Sequence, residues 1–303
     1  MRPHARSQRP PGPRQLPLPL VSTTLFLFIV LSTLVGPLVV AHPPGTIDFS
    51  QATRPPGWEH PFGTNDLGQD MLARVLVGGR VSIGVGLGAM VISTVLGTAV
   101  GVVAGFAGGL PDALLMRLAD AFLALPHLPL LLLTMMLFRD PATSLFGPEY
   151  GPFALVTLVI GGLSWMTVAR LVRATALTVR EMEFVVAARA LGASPIRLIR
   201  VHVLPHVLSP VIVAATLSVS SAIVMESTLS FLGLGFPPDT PTWGRLLYHA
   251  RDFLDIAPHM ALFPGLALFL TVLSLTSMGD RLQATLEPRR VPNHRPTKVV
   301  EHS

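Results

Sequence analysis

The sequence predicts an all-α, polytopic membrane protein of about six transmembrane helices, and three observations carry that expectation. Half of its 303 residues are hydrophobic and only 13% are charged, against about 25% charged in a soluble domain. Apolar runs long enough to cross a bilayer recur along the chain, and basic and acidic residues separate into alternate connecting loops.

Six runs have the necessary length, near 18–41, 81–108, 119–138, 152–172, 207–233 and 258–278. A hydrocarbon core of about 30 Å takes roughly 20 apolar residues in a helix, and only helices or closed barrels satisfy their own backbone there. The first run follows Arg2, Arg6, Arg9 and Arg14 and ends at the small residue Ala41, as a secretory signal could. Its apolar stretch exceeds the roughly 7–15 residues of a cleaved signal, so a retained anchor is expected. The organisation that follows is a cytoplasmic tail over 1–17, a first span plus external segment over 18–80, a transmembrane domain over 81–285 with a cytoplasmic loop at about 173–206, and a cytoplasmic tail over 286–303.

Orientation follows from the loop arginines and lysines, which accumulate on the cytoplasmic side. With the amino terminus inside, the inner segments hold Arg2, Arg6, Arg9 and Arg14, then Arg117, then Arg170, Arg173, Arg180, Arg189, Arg197 and Arg200, and then the basic tail. The outer loops collect Asp48, Glu59, Asp66 and Asp70, then Asp140 and Glu149, then Asp239, Asp252 and Asp255. Both termini are therefore expected inside. This asymmetry and an anionic lipid surface account for the basic pI without any nucleic-acid partner.

Cysteine is absent, which excludes disulfides and cysteine metal sites. The single lysine, Lys298, is followed by Val299. A phosphate-binding P-loop needs Lys followed by Ser or Thr after a glycine-rich turn, so the chain is not a P-loop ATPase by itself.

The 173–206 loop reads as two short helices with a break between them. Phe184, Ala188 and Leu191 fall at i, i+4 and i+7 and make an apolar face. Gly192 suits a left-handed helix stop. Ser194 offers an N-cap, Pro195 fits the first helical position, and Ile196, Ile199 and Val203 mark a second face up to Pro205. An apolar face in a water-facing loop implies either a protein partner or a helix resting on lipid headgroups.

The segment EFVVAARALGASPIRLIRVHVLP, Glu183 to Pro205, resembles the signature loop of ABC importer permeases. The matching positions are Ala187, Ala188, Gly192, Leu204 and Pro205; Val186 replaces the usual glutamate, and His202 stands where many relatives carry isoleucine. HPFGTNDLGQDMLARVLVGGRVSI (60–83), ESTLSFLGLGFPPDTPTWGRLL (226–247) and the DFLDIAPHMALFPG stretch resemble the dipeptide/oligopeptide subgroup, with Asn65 and Gln69 departing from its common acidic and basic residues. The likeness covers roughly 18–290 and implies the type I, MetI-like importer permease fold in a bacterial or archaeal cytoplasmic membrane. It implies a coupling helix whose docking residues are Glu183, Phe184, Ala187, Ala188, Leu191, Gly192, Leu204 and Pro205. It implies four kinds of partner: a second homologous permease as heterodimer, two ABC ATPase subunits carrying ATP and magnesium, an external solute-binding protein, and membrane lipid. Dipeptides or oligopeptides are the implied cargo, with nickel or glutathione as alternatives; no cofactor, metal or catalytic residue is expected in this chain. The rival class is an ion-coupled secondary transporter, which calls for several charges inside the spans.

Glu226 is the only carboxyl group well within a span, and a group at that depth needs a cavity or a partner. With Ser230 it reads either as part of the translocation pathway or as a buried contact with the neighbouring permease. Gly97, Gly101, Gly105 and Gly109 recur every fourth residue, which indicates close helix packing. Asp66 and Asp70, at i and i+4 on an expected outer helix, read as solvated polarity because no histidine accompanies them at helical spacing. No HExxH spacing is present. Trp58, Trp165 and Trp243 lie near span ends, where aromatic anchors are ordinary.

Overall fold

The computed structural model describes residues 18–40 and 42–286; the expected tails, with Arg2, Arg6, Arg9, Arg14 and Lys298, and Ala41 lie outside these. The described residues are helical with no β-strand among the named elements: α1 (Leu18–Val39), α2 (Met71–Ala107), α3 (Gly109–Ala124), α4 (His127–Gly162), α5 (Trp165–Arg180), α6 (Glu183–Ala190), α7 (Pro195–Leu198), α8 (Leu204–Phe231), α9 (Trp243–Ala250) and α10 (His259–Leu286). Five stretches are long and apolar enough to cross a membrane: Leu20–Val39, Met71–Ala107, His127–Arg180, Pro195–Phe231 and His259–Leu286.

The third stretch, 54 residues long, holds two of the expected passes. Gly147 is non-helical within α4, with φ 83°. A Cβ on Gly151 would lie 2.7 Å from Thr143 Cα, whereas residues eight apart in a continuous helix are about 12 Å apart, so the chain folds back at Gly147. Six passes result, in agreement with the sequence, but two expected boundaries shift. The 119–138 run is broken between α3 and α4 at Leu125 and Pro126, since proline removes a backbone donor and clashes with the preceding turn. The 152–172 run is broken after Gly161 and Gly162; Gly161 permits close approach to α2, where its Cβ would lie 2.9 Å from Ala89 O.

Span two starts at Met71, ten residues earlier than the apolar run suggests, so Arg74 and Arg80 belong to the helix and not to an outer loop. Arg80 donates through Nε to Thr33 O of α1 (2.7 Å), and through Nη2 to Leu34 O. These two hydrogen bonds pin α1 to α2.

The glycine ladder seats α2 on α5. A Cβ would lie 2.6 Å from Val168 Cβ at Gly97, 2.5 Å from Ala169 O at Gly101 and 2.7 Å from Ala176 Cβ at Gly105. The fourth member, Gly109, lies past the helix end with φ +56° and nothing within 4 Å of its Cβ position. Three glycines therefore serve helix packing, and the fourth starts α3. Gly101→Val is expected to force α2 off α5 at a cost of at least about 1–3 kcal/mol, read as a lower thermal midpoint of the purified chain. Gly162→Ala, with open space around it, should unfold like the wild type; equal midpoints for both variants would contradict the ladder.

Two further expectations are corrected. Trp243 is no interfacial anchor: it is fully buried, donating through Nε1 to Val75 O (3.0 Å). Trp58 is exposed and Trp165 half-buried. Asp70 is not solvated polarity on an outer helix. It is 3% exposed and caps α2 by accepting from Ala73 N (2.8 Å), while His60, ten residues earlier and outside helical spacing, reaches it through Nδ1 (2.7 Å).

Candidate functional site

The loop between α5 and α8 folds as its residues prescribe. α6 ends in a Schellman arrangement, with Gly192 N donating to Arg189 O (3.0 Å) and Ala193 N to Ala188 O (3.1 Å). Gly192 takes φ +85°, a conformation that only glycine adopts without steric cost. Ser194 caps α7 by accepting from Arg197 N (3.4 Å), and Pro195 fills its first position. A π-helical turn, Ile199–Val203, then leads into α8, with Pro205 in the first turn.

One side of this loop is anchored. Val185, Leu198, Val203 and Val207 are buried against Val102, Val172, Ala176 and Val179 of α2 and α5. The buried helix face thus centres on Val185, one position away from the face the 3.6-residue spacing suggested, because α6 lies across the ends of α2 and α5. Ala188 is partly buried against the same cluster. Phe184, Ala187, Leu191, Gly192, Leu204 and Pro205 are exposed, as is Glu183, and Leu191 is 89% exposed. Phe184, Val186, Leu191 and Ile196 are exposed apolar side chains, with Phe184 and Val186 flanking the buried Val185, on a loop whose turn is stopped at Gly192. Phe184 stacks near His206, 5.6 Å between ring centroids. The predicted docking residues are therefore brought together, with Ala188 at the boundary between surface and core.

Glu226 lies elsewhere. It is fully buried, accepting from Ser82 Oγ of α2 (2.8 Å), Ser230 Oγ (2.7 Å) and, more weakly, Ser227 Oγ (3.4 Å). Ser82 Oγ in turn accepts from Trp243 N (3.3 Å). The carboxyl group thereby ties α2, α8 and the start of α9 together. Its partners belong to this chain, whereas both sequence readings looked outside it, and Ser230, also fully buried, is one of those partners. Close packing accompanies the network: a Cβ on Gly244 would run into the Ser227 backbone, and one on Gly235 into Ser230.

A cavity of about 580 Å³ opens between α5, α8 and the end of α10, lined by Ser164, Thr167, Ser209, Ser218, Ser221 and Met225 among others. Neither Glu226 nor Ser230 lines it. Sequence reading missed these hydroxyls, whose signal is that α8 carries serines on a face separate from the Glu226 face: Ser218 and Ser221 at i and i+3 against Ser227 and Ser230. Nearby, Arg173 holds Asp112 of α3 through Nη2 to Oδ2 (2.7 Å), with a second contact through Nε (2.5 Å), and Arg170 pairs with Asp120. These pairs fasten the α3 approach to α5. In α9, burial and then the charge of Arg245 push the His249 imidazole downward in pKa.

A family model described as "Binding-protein-dependent transport system inner membrane component" matches residues 97–292. A Brucella suis biovar 1 protein named as a peptide permease is 39% identical over 272 residues, covering 89% of this chain and 85% of its own. A glutathione transport system permease protein of Escherichia coli is 37% identical, covering 80% of this chain and 76% of its own. Among solved structures, an inward-facing MetNI methionine ABC transporter chain superposes with a TM-score of 0.56 at 18% identity, covering 72% of this chain and 98% of that one, a likeness of fold.

Proposed function

The chain belongs to the binding-protein-dependent transport system inner membrane component family, it is a permease subunit of an ABC importer, and we propose how it does that work. The cargo is a peptide or a small peptide-like solute such as glutathione, which the names carried by its relatives support. The chain hydrolyses no ATP; two separate ATPase subunits supply ATP and magnesium, and a second, homologous permease completes the pathway. A solute-binding protein delivers cargo at the outer face, and both termini are cytoplasmic.

The observation that carries this reading is the capped α6–Gly192–α7 hairpin, whose apolar side chains are exposed while Val185, Leu198 and Val203 root it in α2 and α5. A partner that grips the exposed side moves the rooted side as a rigid body. The cavity is mostly apolar, and the few hydroxyls in its wall offer acceptor oxygens to a polar backbone in transit without trapping it by charge. Neither an ion-coupled carrier nor a channel is favoured, since Glu226, the one carboxyl group deep within a described span, is engaged by Ser82 and Ser230.

Copurification tests the proposal. Tagged chain extracted gently from its native membrane is expected to bring down an ATPase pair and a second permease, with ATP hydrolysis stimulated by loaded binding protein. Transport by this chain alone in vesicles, without nucleotide, would refute it.

A further inference from the structure

We propose that His42, His60 and Asp70 form a site for a divalent transition-metal ion of borderline softness, with zinc as its type, on the outer segment joining α1 to α2. One ligand atom from each residue lies within 4.8 Å of the other two. The proposal stands apart from the transport reading.

Three separate pieces of backbone bring these side chains together, and each is fixed. Asp70 is held as the cap of α2, with Oδ1 accepting from Ala73 N (2.8 Å) and Oδ2 left facing His60 Nδ1 (2.7 Å). His60 opens a tight turn in which Gly63 N donates to His60 O (2.8 Å), and Met71 N donates to Gly63 O (3.0 Å). The stretch after His42 is drawn over the start of α2 by Arg74 Nη1, donating to Pro44 O (3.3 Å), and by Gln69 Nε2, donating to Gly45 O (3.4 Å). As a result the His42 ring sits 4.7 Å from the His60 ring, tilted by 42°.

Two imidazoles and a carboxylate are the donor set that zinc and its neighbours in the first transition row prefer, at about 2.0–2.2 Å per bond. Donor atoms about a tetrahedral zinc stand roughly 3.3 Å apart. That spacing lies between the 2.7 Å His60–Asp70 contact and the 4.8 Å outer limit of the group, so small side-chain rotations suffice. The ion takes the place of the His60 Nδ1 hydrogen as the partner of Asp70 Oδ2. His42 is exposed while Asp70 is buried, which leaves one coordination position open to water. Asp70 Oδ1, already held by Ala73 N, keeps the carboxylate from turning away, as outer hydrogen bonds do in metal sites. Bound metal would staple the end of α1, the 60–63 turn and the first turn of α2.

The full chain in lipid nanodiscs, with its affinity tag removed, is stripped with EDTA and titrated with zinc ion alone. Bound zinc is counted by mass spectrometry after desalting, and thermal unfolding is followed in parallel. One zinc per chain is expected beyond what the His42→Ala, His60→Ala double variant retains, with affinity at least about tenfold weaker in His42→Ala and a zinc-dependent rise in unfolding midpoint only in the wild type. His42 is exposed, so His42→Ala should fold normally and is the decisive variant. Equal zinc uptake and equal midpoint shifts in the wild type and both variants overturn the site. So does a lower midpoint in the double variant without any difference in bound zinc, which would leave His60 as a partner of the Asp70 cap only.

Discussion

Leu191→Glu is expected to cut recovery of the ATPase partner with the permease by tenfold or more while leaving the permease itself as stable as before. Leu191 is 89% exposed, so its substitution costs the isolated fold little, within about 0.5 kcal/mol for an exposed position. A central apolar anchor of an interface is worth about 2 kcal/mol or more, and each 1.4 kcal/mol is a factor of ten in affinity. Gly192→Val acts by a different route. It forces a β-branched side chain into φ +85°, tilting α6 away from α7, and transport should fall with it. Ala188→Trp is a poorer probe, because Ala188 packs on the buried cluster and the fold would suffer too. Should the ATPase copurify undiminished with Leu191→Glu, and its hydrolysis still respond to loaded binding protein, the docking assignment is wrong.

Glu226→Ala should be the most damaging single change in the transmembrane core, lowering stability by about 3 kcal/mol or more. It strands the hydroxyls of Ser82, Ser227 and Ser230 without their acceptor and leaves a void among fully packed neighbours, and each effect is costly in a buried site. Glu226→Gln keeps one acceptor oxygen and the volume, so its midpoint should fall by less. Thermal unfolding of the purified variants, together with protease protection in vesicles, separates the two. A wild-type midpoint for Glu226→Ala would show that the carboxyl group does not hold α2, α8 and α9 together, and would return it to a role toward substrate or toward the neighbouring subunit.

Much of the loop was legible because its signals are local. Ser194, Pro195 and Gly192 each do their work within a few residues, through a cap, a preset φ and a left-handed stop, so no tertiary information is needed to place two short helices there. The side on which α6 is buried was not legible. Val185 faces inward because α6 crosses the ends of α2 and α5, and a crossing direction is a property of the partners.

Composition and apolar run length by themselves determined that the chain lies in lipid with about six passes, since every backbone group in hydrocarbon must be bonded within its own helix and about 20 residues are required to do it; the fold-back at Gly147 that separates two of them came from the structure. Only the tertiary structure decided what the polar residues inside and outside that bundle are for. Glu226 proved to answer to Ser82, 144 residues distant, and Asp70 to His60, and the cavity serines separated from the Glu226 serines by helix face. Partners outside helical spacing carry no periodic signal, and they meet only where the folded chain leaves a polar group no water to bond.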